Sequence, residues 1–416
     1  MKNKIIDAID KHRAEITACG EYVLSNPELG FKEFKTAEYV KKEFEKLNIP
    51  YIDNLAITGV KGTVGKEDAE INVCVIGEMD AIKCFDHPNS DKLTGAAHAC
   101  GHNAQVASMI GAAYGLVKSG VLEELNGKVT FFAVPAEEFA ELDFRRNLVD
   151  KNEITYMAGK QELIHIGAFN DVDIAMMIHS HASTPEKYLY LEGSSLGFEA
   201  KKISFLGKAA HGSEPWNGVN ALNAAMLTLS AINANRETFK DEDKVRIHPI
   251  VTNGGDIVNV IPDKAVIETY VRAANSKALA DAANKVDNAV KAGAMAIGTD
   301  YEIKNIKGYA PLKQDSMLSK VFEEVAKEFI PETNIYHGVN MTGSTDMGDL
   351  SEVIPSIQPT LGGFEGALHS KDFKIADKET AYITSSKILA LTVYELLKNN
   401  GEKANEIITN FKSQEK

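Results

Sequence analysis

The sequence predicts an α/β protein: a doubly wound, mostly parallel sheet with a ferredoxin-like α+β domain inserted into it. Three observations carry that expectation. The runs INVCVIG (Ile71–Gly77), KVTFFAV (Lys128–Val134) and VDIAMMI (Val172–Ile178) have the length and apolar content of buried strands, and helical stretches separate them. Strands that alternate with helices pair in parallel, because each crossover helix covers one face of the sheet. Beyond about Gly193 the order becomes β-α-β-β-α-β, that of one sheet backed by two helices. The expected domains are 1–191 with 307–416, discontinuous, and 192–306, inserted.

The elements follow in order. Residues 1–48 are helical: Tyr39, Val40, Phe44 and Leu47 recur at three and four, and Asn26-Pro27 and Gly30 break the helix before them. Ala104–Lys118 is the crossover helix after the first strand. Glu199–Gly207 alternates as a strand, and Asn220–Thr238 is an Ala-rich helix. VRIHPIVTN and KAVIETYVRAA are strands bounded by Asn253-Gly254-Gly255 and Pro262-Asp263 turns. Lys277–Gly298 is helical, TDYEIKNI a strand, and Glu379–Leu397 a closing amphipathic helix.

The 416 residues carry a net charge of −14, which repels nucleic acid and anionic membranes at long range. No run reaches the roughly 18 apolar residues of a membrane span. The N-terminus lacks the apolar core of an export signal, and the four cysteines form no CxxC pair, so a reduced, cytoplasmic protein is expected.

Polar residues follow each buried strand: EMDA, AEE and HSH. Open α/β sheets bind ligands at the carboxyl ends of their strands. Cys100-Gly101-His102 puts a thiol and an imidazole two residues apart; in a loop both can face one point, where on a helix they would diverge by about 200°. Both are good zinc ligands, although a buried cysteine beside a helix-capping histidine fits the same letters. Glu137-Glu138 places adjacent carboxylates after a strand, where one could hold a metal and the other take a proton from water; a solvated loop is the plain alternative. His179 follows the last apolar residue of its strand and is a better ligand candidate than His181, and His369 follows a Gly-rich loop. Together these groups suit two metals about 3.5–4 Å apart.

The ordered motifs HACGHNAQ, PAEE, MMIHSH, GKAAHGSEPWNGVNAL, GSTDMGDLS and ALHSKDF resemble the metal-dependent amidohydrolases of peptidase family M twenty. These include aminoacylases, carboxypeptidase G, hippurate hydrolases and aminobenzoyl-glutamate hydrolases, the last branch being the most similar. The resemblance implies Cys100, His102, Glu138, His179 and His369 as ligands of two divalent metal ions, zinc or manganese, with cobalt or nickel as rivals. It implies Glu137 as general base, Asp80 as the acid that orients a ligand, His211 as the group that polarises the scissile carbonyl, and Asn259 and Arg272 as holders of the substrate's free carboxylate. It also implies a homodimer formed through the inserted domain.

The expected activity is hydrolysis of the amide in an N-acyl amino acid or dipeptide-like small molecule, with a dipeptidase or carboxypeptidase as the alternative. A non-catalytic metal-binding scaffold is a third reading, and a cysteine hydrolase using Cys100 a fourth. The chain departs from hippurate-hydrolase-like relatives after the glutamate pair. Where they carry glycines, it carries FAELDFRR (Phe139–Arg146), a segment expected to wall the pocket. Trp216 is expected to pack or anchor a loop.

Overall fold

A computed structural model describes residues 1–181, 188–339 and 343–414. It forms two compact units, Met1–Ser194 with Lys313–Asn340 and Asp349–Lys416, and Ser195–Leu312 with Met341–Gly348.

The first unit is built on a six-stranded sheet in the order Tyr51–Leu55, Gly59–Gly65, Lys128–Val134, Asn72–Glu78, Ile174–Met176, Ser356–Ile357. The three pairs from Lys128–Val134 onward are parallel and the two before them antiparallel, so the sheet is mostly parallel. The Asn72–Glu78 strand is buried along its whole length, as a central parallel strand requires. Its last residue is a glutamate, so the strand delivers a carboxylate into the protein rather than to its surface.

The third expected strand is shorter than its apolar run. Ile174–Met176 stays in the main sheet, and His179–Ser180 pairs with Thr360–Leu361 in a separate four-stranded sheet. Both chains change sheets together: Met177 donates to Ile357 O and His179 to Pro359 O. Pro359 has no N–H to return, and the ladder is interrupted there. The switch carries His179 clear of the main sheet and toward the loop that holds Cys100.

The helix His102–Lys118 is buried from His102 through Leu116, which explains its weak amphipathic pattern and its alanines and glycines. It packs on the Arg13–Ser25 and Ser385–Gln414 helices. Gly111 makes the second approach possible: a Cβ there would lie 2.0 Å from Ser386 Oγ. The C-terminal helix begins with a π-helical stretch, Glu379–Thr384, and runs into Ser385–Gln414. Near the expected end at Leu397, Asn399, Asn400 and Gly401 take φ of 52°, 58° and 74°, and a further helical segment follows. Asn and Gly are the residues that tolerate this left-handed geometry.

The second unit is an antiparallel sheet, Arg246–Ile247, Lys264–Ala273, Gly197–Leu206, Asp300–Lys307, with Ile250–Asn253 also paired to Lys264–Ala273. The expected VRIHPIVTN strand is therefore two short strands on one partner, split at Pro249. The helices Ala221–Ala234 and Ser276–Ile297 cover the sheet, with Ile203, Phe205, Ile267 and Val271 meeting Ala224, Ala282, Val286 and Val290 in its core. The 343–348 segment joins this unit because Leu196 N–H donates to Gly343 O and Ser344 binds both Leu196 O and Arg272. Trp216, expected to pack or to anchor a loop, is 76% exposed.

Gly111→Val should destabilise the protein by roughly 2–4 kcal/mol, because side chains buried on both helices would have to move. Urea unfolding measures this; a loss below about 0.5 kcal/mol would show that the two helices separate freely.

Candidate metal centre

Cys100 lies in a turn that Gly101 makes possible. Gly101 adopts φ of 80°, and a Cβ there would meet Ser180 Cβ at 2.8 Å. The turn opens directly into the His102–Lys118 helix, whose N-terminal partial positive charge favours a thiolate. Ser180 Oγ donates to Cys100 O at 2.8 Å, tying the cysteine loop to the strand that carries His179.

The loop after Phe364–Glu365 returns to the same point. His369 takes φ of 61°, a left-handed conformation that costs a non-glycine residue about 1–2 kcal/mol. Its N–H donates to Ala99 O at 2.8 Å, which holds the strained residue beside Cys100. His369 Nε2 then lies 3.3 Å from Cys100 Sγ and 3.2 Å from Glu138 Oε1.

The other two imidazoles arrive with their tautomers set. His102 Nδ1 donates to Asp80 O at 2.8 Å, and His179 Nδ1 to Ser180 O at 2.9 Å. A carbonyl only accepts, so each Nδ1 carries a proton and each Nε2 faces inward. His179 Nε2 is 3.5 Å from Cys100 Sγ, and His102 Nε2 is 3.2 Å from Glu78 Oε2. Asp80 also accepts the Glu138 N–H at 2.9 Å, so one carboxylate supports both a histidine and a glutamate.

The donor atoms of Cys100, His102 and His179 lie within 4.8 Å of one another, and so do those of Cys100, Glu138 and His369. The two triplets share one sulfur. A third group, Glu78, His102 and Glu137, meets the same distance. Glu138 Oε1 and His102 Nε2 are buried with their close contacts made to His369 and Glu78, and Asp80 Oδ1 lies 3.3 Å from His102 Nδ1. Soft sulfur, imidazole and carboxylate donors with inward lone pairs fit divalent transition metals.

The electrostatics point the same way. Burial pushes the Cys100 thiol up, but His179, His102 and His369 outweigh it and hold it well below its ordinary range. Hydrogen bonds to Cys100 and Glu138 raise His369 to about 11. Burial lowers His102, yet Glu78, Asp80 and Cys100 leave it well above the usual imidazole value. Glu138 is pushed up to about 7 by burial and by the neighbouring sulfur. The cluster binds protons where cations would go.

The structure therefore gathers Cys100, His102, Glu138, His179 and His369, with Glu137 and Asp80 beside them. His181 stands apart, its ring stacked on Tyr190 at 4.1 Å. His211, Asn259 and Arg272 belong to the second unit. His211 is exposed, with Nδ1 2.7 Å from Ser213 Oγ, and Gly212 N–H donates to Asn259 O. Arg272 is half-buried over the Phe198 and Tyr270 rings and donates to Ser344 Oγ at 2.9 Å.

Sequence reasoning passed over Glu78 and Lys160. Their side chains are fully buried and paired, Lys160 Nζ to Glu78 Oε1 at 2.5 Å. Burial raises the Glu78 carboxyl, but Lys160, His102 and His179 bring it below its usual range. The signal for Glu78 was a charged residue closing an otherwise apolar strand. Lys160 had none, because the segment before it shows no periodicity.

Comparison with known proteins identifies the chain. Residues 195–296 match the peptidase dimerisation domain of M20 proteins. A human Xaa-Arg dipeptidase is 32% identical over 323 residues, 74% of this chain and 68% of that protein. The chain belongs to the M20 peptidase family. As an M20 enzyme it is a metallo-amidohydrolase, acting on linear amide or peptide bonds. A hippurate hydrolase of Campylobacter jejuni is 26% identical over 338 residues, 79% of this chain and 82% of that protein. The fold agrees with that of a Bacillus subtilis protein described as a dinuclear metal-binding peptidase of the M20 family. The TM-score is 0.71 at 22% identity, over 93% of this chain and 99% of the other.

In metal-free protein, Cys100 should titrate well below the ordinary thiol value of about 8.5, giving a thiolate absorbance step that Cys100→Ser lacks. A thiol depressed in the folded state stabilises the fold above its unfolded pKa and loses that contribution as pH falls through the folded one. A step at or above the ordinary value would mean the imidazoles do not reach the sulfur.

Proposed function

We propose that the chain hydrolyses the amide bond of N-acyl amino acids that carry a free carboxylate. The observation that carries this reading is the pair of donor triplets joined at Cys100 Sγ with Glu137 beside them. Cys100, His102 and His179 would hold one divalent ion, and Cys100, Glu138 and His369 the other. Zinc suits the thiolate best, with manganese, cobalt and nickel as rivals. When bound, such ions lower the pKa of a coordinated water from about 16 toward 7.

Glu137 takes a proton from the attacking water as its oxygen bonds to the carbonyl carbon. The C–N bond then breaks, and Glu137 returns that proton to the amine nitrogen. The division of labour between adjacent glutamates is what the chemistry needs: a carboxylate bound tightly to a cation is a weaker base and is less free to reach the proton. Asp80 orients His102 through its carboxylate and backbone oxygen.

The family resemblance gives His211 the polarisation of the scissile carbonyl, a kind of contribution worth roughly 3–4 kcal/mol per donor in other hydrolases. It gives Asn259 and Arg272 the substrate carboxylate. The ring stacking and the Ser344 bond support that role for Arg272, since they fix a planar fork in advance. A homodimer through the second unit is supported by the dimerisation-domain match and by the exposed apolar residues Met226, Leu227, Ile250 and Val251. A cytoplasmic location fits the free cysteines. Dipeptides are the second substrate reading, favoured by the likeness to the human Xaa-Arg dipeptidase.

A panel of N-acyl amino acids and dipeptides, assayed with chelator and after restoring each metal, tests the proposal. Activity should vanish with chelator and return with metal. Hydrolysis of neither class under any metal would end it, and inhibition by alkylation but not by chelator would favour a cysteine hydrolase. Glu137→Gln should lower kcat by at least about 100-fold while metal content stays at the wild-type level; substantial turnover in that variant would move the base elsewhere. Arg272→Ala should raise KM for acids by roughly tenfold or more and leave the matching carboxamides nearly unchanged. Equal losses on both would remove Arg272 from carboxylate binding.

A further inference from the structure

The peptide that carries Glu137 and Glu138 is held on both sides by buried polar groups that neither donor triplet uses. Glu33 is fully buried; its Oε1 accepts the Ala136 N–H at 2.8 Å and its Oε2 accepts the Thr58 hydroxyl at 2.6 Å. Arg145, 1% exposed, donates through Nη1 to Ala136 O at 3.4 Å and Met157 O at 2.6 Å, and through Nη2 to Glu138 O at 2.5 Å. One guanidinium thus spans the residues on either side of the base.

Ala136 needs this support. Its φ is 53°, the left-handed region that a Cβ disfavours, and it is the residue that aims Glu137. The N–H of Gly159 adds a further bond to Ala136 O at 3.1 Å. The clamp is also closely built around. A Cβ on Gly30 would lie 2.3 Å from Arg145 Nη2 and 3.0 Å from Ala136 Cα, and the guanidinium sits 5.3 Å from the centre of the Phe31 ring. The chain PELGFKEF therefore supplies the empty space at Gly30, the ring at Phe31 and the carboxyl at Glu33.

Arg145 comes from the Leu142–Asp150 helix. A lysine could not take its place, because a single ammonium lacks the fork that reaches the carbonyls of both Ala136 and Glu138.

We propose that Arg145, assisted by Glu33, is a positioning residue that fixes the backbone of the glutamate pair, so that Glu137 is aimed at the attacking water and Glu138 at its metal. This rests on the roles given above to those two glutamates. A purely structural arginine would affect stability and leave the folded enzyme's turnover intact.

The test uses full-length, metal-loaded Arg145→Met and Arg145→Lys, with Glu33→Leu and Glu33→Gln alongside. Folding is checked by circular dichroism and elution volume. The clamp predicts that folded Arg145→Met loses roughly 100-fold in kcat with KM within about threefold. Added methylguanidinium should restore about tenfold of that loss, and Arg145→Lys should lie between. Metal retention against a competing chelator should weaken by at least about tenfold in Arg145→Met, a readout that needs no substrate. Glu33→Leu should follow Arg145→Met, and Glu33→Gln, which keeps an acceptor for the Ala136 N–H, should recover.

Wild-type kcat and metal retention in folded Arg145→Met would overturn the proposal. So would losses that track unfolding alone, without guanidinium recovery and without a difference between Glu33→Gln and Glu33→Leu. If Arg145→Met does not fold, Arg145→Lys and the Glu33 pair decide by the same criteria. If the wild-type enzyme cleaves no amide on the panel, the hydrolytic reading fails on its own, and chelator competition still decides whether the clamp holds Glu138.

Discussion

Negative charge confined away from water is the constraint around which the first unit is organised. Glu33, Glu78, Asp80, Glu137 and Glu138 are all buried, and the Cys100 thiol lies among them. An isolated buried carboxylate costs several kcal/mol to ionise, so each must be protonated, paired or bound to a cation. The chain uses all three devices. Glu33 stays largely protonated: burial and the Asp80 charge raise it to about 8. Glu78 is paired with Lys160, and Asp80 is surrounded by the charges of His102 and Arg145. Glu138 and Cys100 are left with imidazoles, partners that can give up their protons when a divalent ion takes their place. Glu78 and Asp80 are thus matched by fixed protein groups, while Glu138 and Cys100 face imidazoles.

This division explains what sequence reading could and could not recover. The clustering of Cys100, His102, the Glu137-Glu138 pair, His179 and His369 was legible because ligand types at strand ends and glycine turns leave a pattern, while the roles within the glutamate pair came from the family resemblance. The main sheet was legible for a similar reason: its strands are continuous apolar runs of the right length. The compensating residues were not. Lys160 and Arg145 come from two short helices between strands, Gly159–His165 and Leu142–Asp150, and nothing in their neighbours reveals that they turn inward. Glu33 reads as one more charge before an amphipathic helix. Their burial follows from packing between segments distant in sequence, which spacing and composition do not encode.

Local backbone rules were harder to read than element types. The run VDIAMMI gave no hint that the chain changes sheets before His179; that depends on Pro359, far along the sequence, facing it. Pro249 likewise divides what composition alone presents as one strand. By contrast, the Asn-Asn-Gly break after Leu397 lies close to where the amphipathic pattern ends, because left-handed residues stop a helix by their own geometry. Rules that act within a few residues were recoverable, and rules set by a distant partner were not.

The interleaving of the two units along the chain has a consequence for synthesis. His369 and the Ser385–Gln414 helix emerge after the whole of Ser195–Leu312, so ribosome-bound intermediates carry Cys100, Glu138 and the core face of the His102–Lys118 helix without their last partners. The second unit's continuous stretch can collapse meanwhile. Cys100, Glu138 and His369 therefore meet only late in synthesis, after the whole of Ser195–Leu312 has emerged.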